Sequence, residues 1–145
     1  MKKLFLILAV VFGVISASAR TNYSHDIEIL PEQAQTILKQ NFKAGVSHIK
    51  IGKEFGQIRE YEVVMTDGSE ISFDKHGNWK DVEVSHAKAV PSAFILNPIR
   101  TFVKENQNSV YVTGIEKKNY GYEVELSNGK DARFTEKGKF IRYGD

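Results

Sequence analysis

Residues 61–79, YEVVMTDGSEISFDKHGNW, recur without a gap as residues 122–140, YEVELSNGKDARFTEKGKF. Tyr61 corresponds to Tyr122, Glu62 to Glu123, Val63 to Val124, Gly68 to Gly129, Phe73 to Phe134 and Gly77 to Gly138, at a constant offset of 61 residues. A duplication of this length commits both stretches to one local structure. In each, apolar and polar residues alternate, the period of a strand buried on one face. Tyr61, Val63 and Met65 share one side, with Glu60, Glu62 and Thr66 on the other. Asp67-Gly68 and Asn128-Gly129 separate such runs and predict type I′ hairpin turns.

Around the repeat the period changes. Pro31 and Glu32 suit a first helical turn, Ala34, Ile37, Leu38 and Phe42 form one apolar stripe, and Gly45 is a plausible stop. Strands follow at Val46 to Ile51, 58–66, Ile71 to Phe73, and 79–84 beyond a turn at Gly77. After a polar connector, 85–89, Val90-Pro91 restarts the scheme, Asn97 is placed to cap and Pro98 to open a second helix, and residues 91–96 form a separate turn. Val110 and Val112, then Tyr122, Val124 and Leu126, then Ala132 and Phe134, then 140–143, supply the second set of strands.

The start of the chain carries a different pattern. Lys2 and Lys3, an apolar run from Leu4 to Ile15, and Ala17-Ser18-Ala19 have the layout of a cleavable secretory signal peptide, too short for a membrane span of about 20 apolar residues. Cleavage after Ala19 leaves 126 residues and no cysteine for lipid attachment or disulfides. Loss of Lys2 and Lys3 lowers Lys plus Arg from 20 to 18, equal to the 18 Asp plus Glu. A neutral mature chain lacks the basic footprint of a nucleic-acid binder and has no general attraction to anionic membranes. One hydrophobic core is feasible at this size; a half of about 60 residues is marginal.

The sequence therefore predicts an α+β fold: a tandem duplication of a helix plus a four-stranded antiparallel meander, with helices packed on one face of a curved antiparallel sheet. The expected divisions are a signal peptide, 1–19; a flexible leader, 20–29; a first unit, 30–84; the connector, 85–89; and a second unit, 90–145. The uncovered face is expected to carry Glu62, Val64, Thr66, Glu70, Ser72, Glu123, Glu125, Asp131 and Arg133, which make up the candidate binding face.

A signal peptide, Leu-Pro or Val-Pro before a helix, Tyr-Glu-Val, an Asp-Gly or Asn-Gly turn and Phe-Asp-Lys-x-Gly-x-Trp, in two copies, resemble the PepSY-like family of small exported Bacteroidetes proteins. The resemblance spans Leu30 to Tyr143 and implies a fold similar to the beta-lactamase inhibitory protein. It further implies binding or inhibition of envelope proteins such as peptidases, with no catalytic residues. The inhibitor proper is disulfide-bonded, which this cysteine-free chain is not.

No stretch supplies a reaction. His25, His48, His76 and His86 lack metal-site spacing, and Asp67-Gly68-Ser69 lacks the strained elbow of a nucleophile. Asp74-Lys75-His76-Gly77-Asn78 has the wrong spacing for a calcium loop. Glu62 and Glu123 recur in both copies, but their period-two neighbours predict a solvated face rather than an acid–base pair. Tyr61, Phe73, Tyr122 and Phe134 are expected in the core; Phe55, Trp79, Tyr111, Tyr120, Phe140 and Tyr143 include candidates for exposed interface anchors. The leading expectation is a non-enzymatic periplasmic module, without cofactor or metal, that holds a protein or peptide of the cell envelope on the open sheet face. The alternative is a binder or hydrolase of a small envelope ligand or glycan in a cleft between the halves.

Overall fold

The computed structural model describes residues 20–85 and 87–144. The expected signal peptide and cleavage site, and His86, lie outside the described residues.

The expected helix-plus-meander built twice is not what the chain forms. Its fold is mostly β: one nine-stranded antiparallel sheet, in sequence order from β1 to β9, with two short helices. The strands are β1 (Arg20–Ser24), β2 (Val46–Glu54), β3 (Gln57–Met65), β4 (Glu70–Asp74), β5 (Trp79–Glu83), β6 (Val112–Lys118), β7 (Gly121–Leu126), β8 (Asp131–Thr135) and β9 (Phe140–Tyr143). Two pairings set the extent of the sheet. Arg20–Ser24, expected as a flexible leader, is an edge strand in register with β2, from Arg20 opposite Lys53 to Ser24 opposite Ile49. Next, β5 pairs with β6 through Asp81 opposite Glu116 and Val82 opposite Ile115, so the sheet continues across the supposed boundary. The physical reason is that an unpaired strand edge leaves backbone donors and acceptors unsatisfied, and the two halves close each other's inner edges.

One line of side chains crosses the sheet from β2 to β8: Ile49, Val63, Ile71, Val82, Ile115, Val124 and Ala132, each opposite the next. All seven are fully buried. They are covered by α1 (Glu32–Asn41), which buries Ala34 and Leu38, and α2 (Asn97–Asn106), which buries Ile99 and Val103. Aromatic rings fill the space between helices and sheet. Phe102 lies edge-on to Phe134 and stacks on Phe140 with centroids 4.3 Å apart, while Phe94 meets both Trp79 and Phe42.

Local chemistry corrects several details. One boundary of each helix differs from expectation: α1 stops at Asn41, before Gly45, and Asn97 is the first residue of α2 with Leu96 as its cap. Each helix instead ends on an asparagine whose side-chain amide donates to the carbonyl four residues back, Asn41 to Ile37 and Asn106 to Phe102, both at 2.9 Å. That bond gives a carbonyl of the last turn a second donor, alongside the regular helical one. The turns at Gly68 and Gly129 are not type I′, because only the glycine has positive φ, at 88° and 84°. Each is a three-residue loop with glycine in the left-handed position, closed from Met65 N–H to Ser69 O and from Leu126 N–H to Lys130 O. The two-residue loop with positive φ at both centres is Phe55-Gly56. Phe55 is strained there, and its ring is largely exposed.

Candidate functional site

The other face of the sheet, away from the helices, also has a central line. From β2 to β9 it reads Lys50, Glu62, Ser72, Asp81, Glu116, Glu123, Arg133 and Arg142, each opposite the next. A second line beside it reads His48, Val64, Glu70, Glu83, Gly114, Glu125 and Asp131. Along the central line the lysine and arginines lie towards the two sides and the carboxylates at the centre, where Lys118 pairs with Glu116 and Lys80 with Glu60.

The nine residues expected on this face do not form one cluster. Glu62 lies in the central line, ion-paired with Lys50 at 2.6 Å. Ser72, Glu123 and Arg133 lie in the same line, while Val64, Glu70, Glu125 and Asp131 lie in the second. Thr66 falls beyond the end of β3, exposed, its N–H bonded to Gly45 O. Glu123 departs from the expected solvated carboxylate: it is only 6% exposed. Its Oε2 accepts from the Tyr120 hydroxyl at 2.9 Å and from Arg133 Nε at 3.1 Å. Its Oε1 is buried without a hydrogen-bond partner among the described residues.

Two residues at the heart of the face, Asp81 and Glu116, were missed by sequence reasoning. Each belongs to an alternating strand, but only the β5–β6 pairing sets them side by side and next to Glu123. Glu116 also bonds Lys118 at 2.9 Å. Burial, reinforced by the Glu116 charge and opposed by a hydrogen bond from Ser72, pushes the Asp81 carboxyl up to about 7. Burial likewise raises Glu70, with Glu62 adding to it, and raises Glu125 and Asp131, which sit opposite each other. The face therefore holds carboxylates in an environment that disfavours their charge.

Of the aromatics, Tyr61, Phe73 and Phe134 are buried, and Tyr122 is partly buried against Trp79. Trp79 and Phe140 pack against the core, whereas Phe55, Tyr111, Tyr120 and Tyr143 keep exposed rings. Tyr120 stands at the rim of the acidic centre, with the Arg133 guanidinium 6.0 Å from its ring. His25 bonds Ser47 O, His48 contacts Ser47 and Tyr23, and His76 lies in the β4–β5 turn. Among the described residues, no group of three or more His, Cys, Asp or Glu side chains is arranged to hold a metal ion. A shallow groove of about 490 Å³ runs beside α2, lined by Val90, Ile95, Arg100, Lys104, Gln107 and Tyr111, all from the second half of the chain rather than between the halves.

The sheet order and the repeated turns place the chain among known proteins. The family model described as "Putative beta-lactamase-inhibitor-like, PepSY-like" matches residues 59–142. The chain belongs to the PepSY-like family. A "putative calcium-regulated periplasmic protein" of Bacteroides thetaiotaomicron is 32% identical, with TM-score 0.79 over 86% of this chain and 97% of that one. A "putative periplasmic protein of unknown function" from Bacteroides vulgatus is also 32% identical, with TM-score 0.80 over 87% of this chain and 100% of that one. A third, a "putative periplasmic protein from DUF2874 family" of Bacteroides vulgatus, is 28% identical, with TM-score 0.77 over 90% of this PepSY-like chain and 100% of the neighbour. No curated protein matches the sequence. Among the described residues, no helix is long and apolar enough to cross a membrane.

Proposed function

We propose that this PepSY-like chain is exported through a leader cleaved after Ala19 and acts in the periplasm as a non-catalytic binding module, with the open sheet face holding a protein or peptide of the cell envelope. The periplasmic setting of its structural neighbours supports the location. The observation that carries the binding role is the sorted charge of the open face, where carboxylates are held together at a cost in self-repulsion. Like charges directly opposite on neighbouring strands destabilise a sheet, so an arrangement kept at the centre of the face is better accounted for by a ligand than by stability. By complementarity the partner presents basic residues to this face. Inhibition of that partner, as the family description suggests, would follow if the face covers its active site.

The test is recovery of the partner from periplasm on the tagged protein, with and without Glu62→Lys, Thr66→Lys and Glu125→Lys combined. Loss of the partner from a folded triple variant is expected; a partner retained undiminished removes the open face from consideration. The groove beside α2 favours a second reading, a small anionic ligand held by Arg100 and Lys104. A thermal-shift screen of anionic envelope-glycan fragments distinguishes it, because any ligand of the folded state raises the melting temperature by mass action.

A further inference from the structure

We propose that Asp81, Glu116 and Glu123 form a subsite for a single arginine side chain of the bound protein, with Glu123 Oε1 as its deepest acceptor. This rests on the reading of the open face as the binding face and names the chemistry at its centre.

Three features point there together. Asp81, Glu116 and Glu123 are consecutive across β5, β6 and β7, so their carboxylates sit on adjacent strands about 5 Å apart. Glu123 is more than nine-tenths buried, and its Oε2 is already held by Arg133 and Tyr120. Its Oε1 is buried without a hydrogen-bond partner among the described residues. A buried carboxylate oxygen left unpaired is costly, and it is satisfied by a donor brought from outside.

The shape of the site selects the donor. A planar guanidinium carries five N–H donors, is weakly hydrated, and reaches carboxylates on neighbouring strands at once, whereas an ammonium is a compact, strongly hydrated point charge. The Arg133 guanidinium already engages Glu123 through Nε, and the half-exposed Tyr120 ring borders the same carboxylate. Aromatic faces stack on guanidinium planes.

Binding of a cation here is linked to a proton. The Asp81 carboxyl is faced by Ser72 from β4, by Glu116 from β6, by Lys80 on its own strand and, one strand further, by Glu62. Held at about 7, it is largely protonated at pH 6. The incoming guanidinium favours the ionised form, so binding expels that proton and weakens about tenfold per pH unit below 7.

The mature protein, labelled for NMR, would be titrated with tri-arginine, with tri-lysine and with calcium chloride at pH 6 and pH 8, following the side-chain carboxyl resonances. Expected is tri-arginine binding that shifts Glu116 and Glu123, is at least tenfold tighter than tri-lysine, and strengthens about tenfold from pH 6 to pH 8. Glu116→Gln should weaken it about tenfold, while Asp131→Asn, on the same face outside the subsite, changes it less than about twofold. Equal weakening by both variants would reduce the effect to general electrostatics and overturn the proposal. So would equal binding of tri-lysine, affinity unchanged between pH 6 and 8, or saturation of these carboxylates by calcium in place of the peptide. The wild-type titrations decide the matter even if Glu116→Gln fails to fold. A periplasmic partner lost with the triple lysine variant yet retained by Glu116→Gln would keep the face and remove the subsite; one retained by both would remove the face itself.

Discussion

Replacing Asp81 by asparagine should stabilise the protein, and only at neutral and alkaline pH. Asp81 pairs across strands with Glu116 and Ser72, and burial with the Glu116 charge lifts its carboxyl from 3.8 to about 7. The sign follows from proton counting. Between these two values the folded state binds more protons than the unfolded chain, so stability falls as pH rises through that window. Below about 4 both states are protonated and the penalty is absent; above about 7 both are ionised and it is complete. A displacement of about 3 pH units at 1.36 kcal/mol each sets the full penalty at no more than about 4 kcal/mol. Asparagine keeps an oxygen for the Ser72 hydroxyl and removes the charge. Urea unfolding of both proteins from pH 4 to pH 8.5 should therefore show curves that nearly coincide near pH 4 and separate by up to about 4 kcal/mol at pH 8, with the variant more stable. A variant less stable at pH 8, or a gain independent of pH, would refute the account of Asp81 as a repelled, largely desolvated carboxylate.

Phe134 is fully buried between Phe102 and Phe140; Phe134→Ala should cost about 3–5 kcal/mol in chemical denaturation. A Cβ on Gly121 would lie 2.2 Å from Phe134 O and 2.3 Å from Thr135 C. The backbone of the paired strand cannot yield, so Gly121→Ala should lose more than about 4 kcal/mol or fail to fold. Gly56→Ala, with positive φ but open space around it, should lose only about 1–2 kcal/mol by the same measurement. A fragment of residues 20–85 should give the narrow amide dispersion of an unfolded chain. It leaves β5 without β6 and removes Phe94 and Tyr122 from Trp79.

Much of the secondary structure was legible because it is local. Alternation marked the strands from Tyr61 to Phe73 and from Tyr122 to Phe134, and prolines before apolar stripes marked the helices. What misled was also local. Residues 20–28 show no period because β1 is an edge strand whose side chains are mostly exposed, so the pattern that reveals a half-buried strand is absent. Asp67-Gly68 looked like a two-residue turn because glycine signals positive φ without saying how many residues the loop contains. The 61-residue repeat suggested two units, since similarity between segments carries no information about whether their edges pair.

The candidate face divides the same way. Sequence alone determined that Glu62, Glu70, Glu123, Glu125, Asp131 and Arg133 stand opposite the apolar side of their strands, because side-chain direction in a strand depends only on counting by two. It also determined that the chain has no cysteine and, without Lys2 and Lys3, equal numbers of basic and acidic residues. Tertiary structure alone decided that β5 joins β6, and with that pairing Asp81, Glu116 and Glu123 became neighbours. Residues 35 positions apart, such as Asp81 and Glu116, are brought within one strand spacing by backbone hydrogen bonds whose register no local pattern encodes. The repeated Tyr-Glu-Val thus supplies a glutamate in each copy, but Glu62 meets a lysine while Glu123 lies buried beside another carboxylate. That difference comes from each strand's neighbours in the sheet.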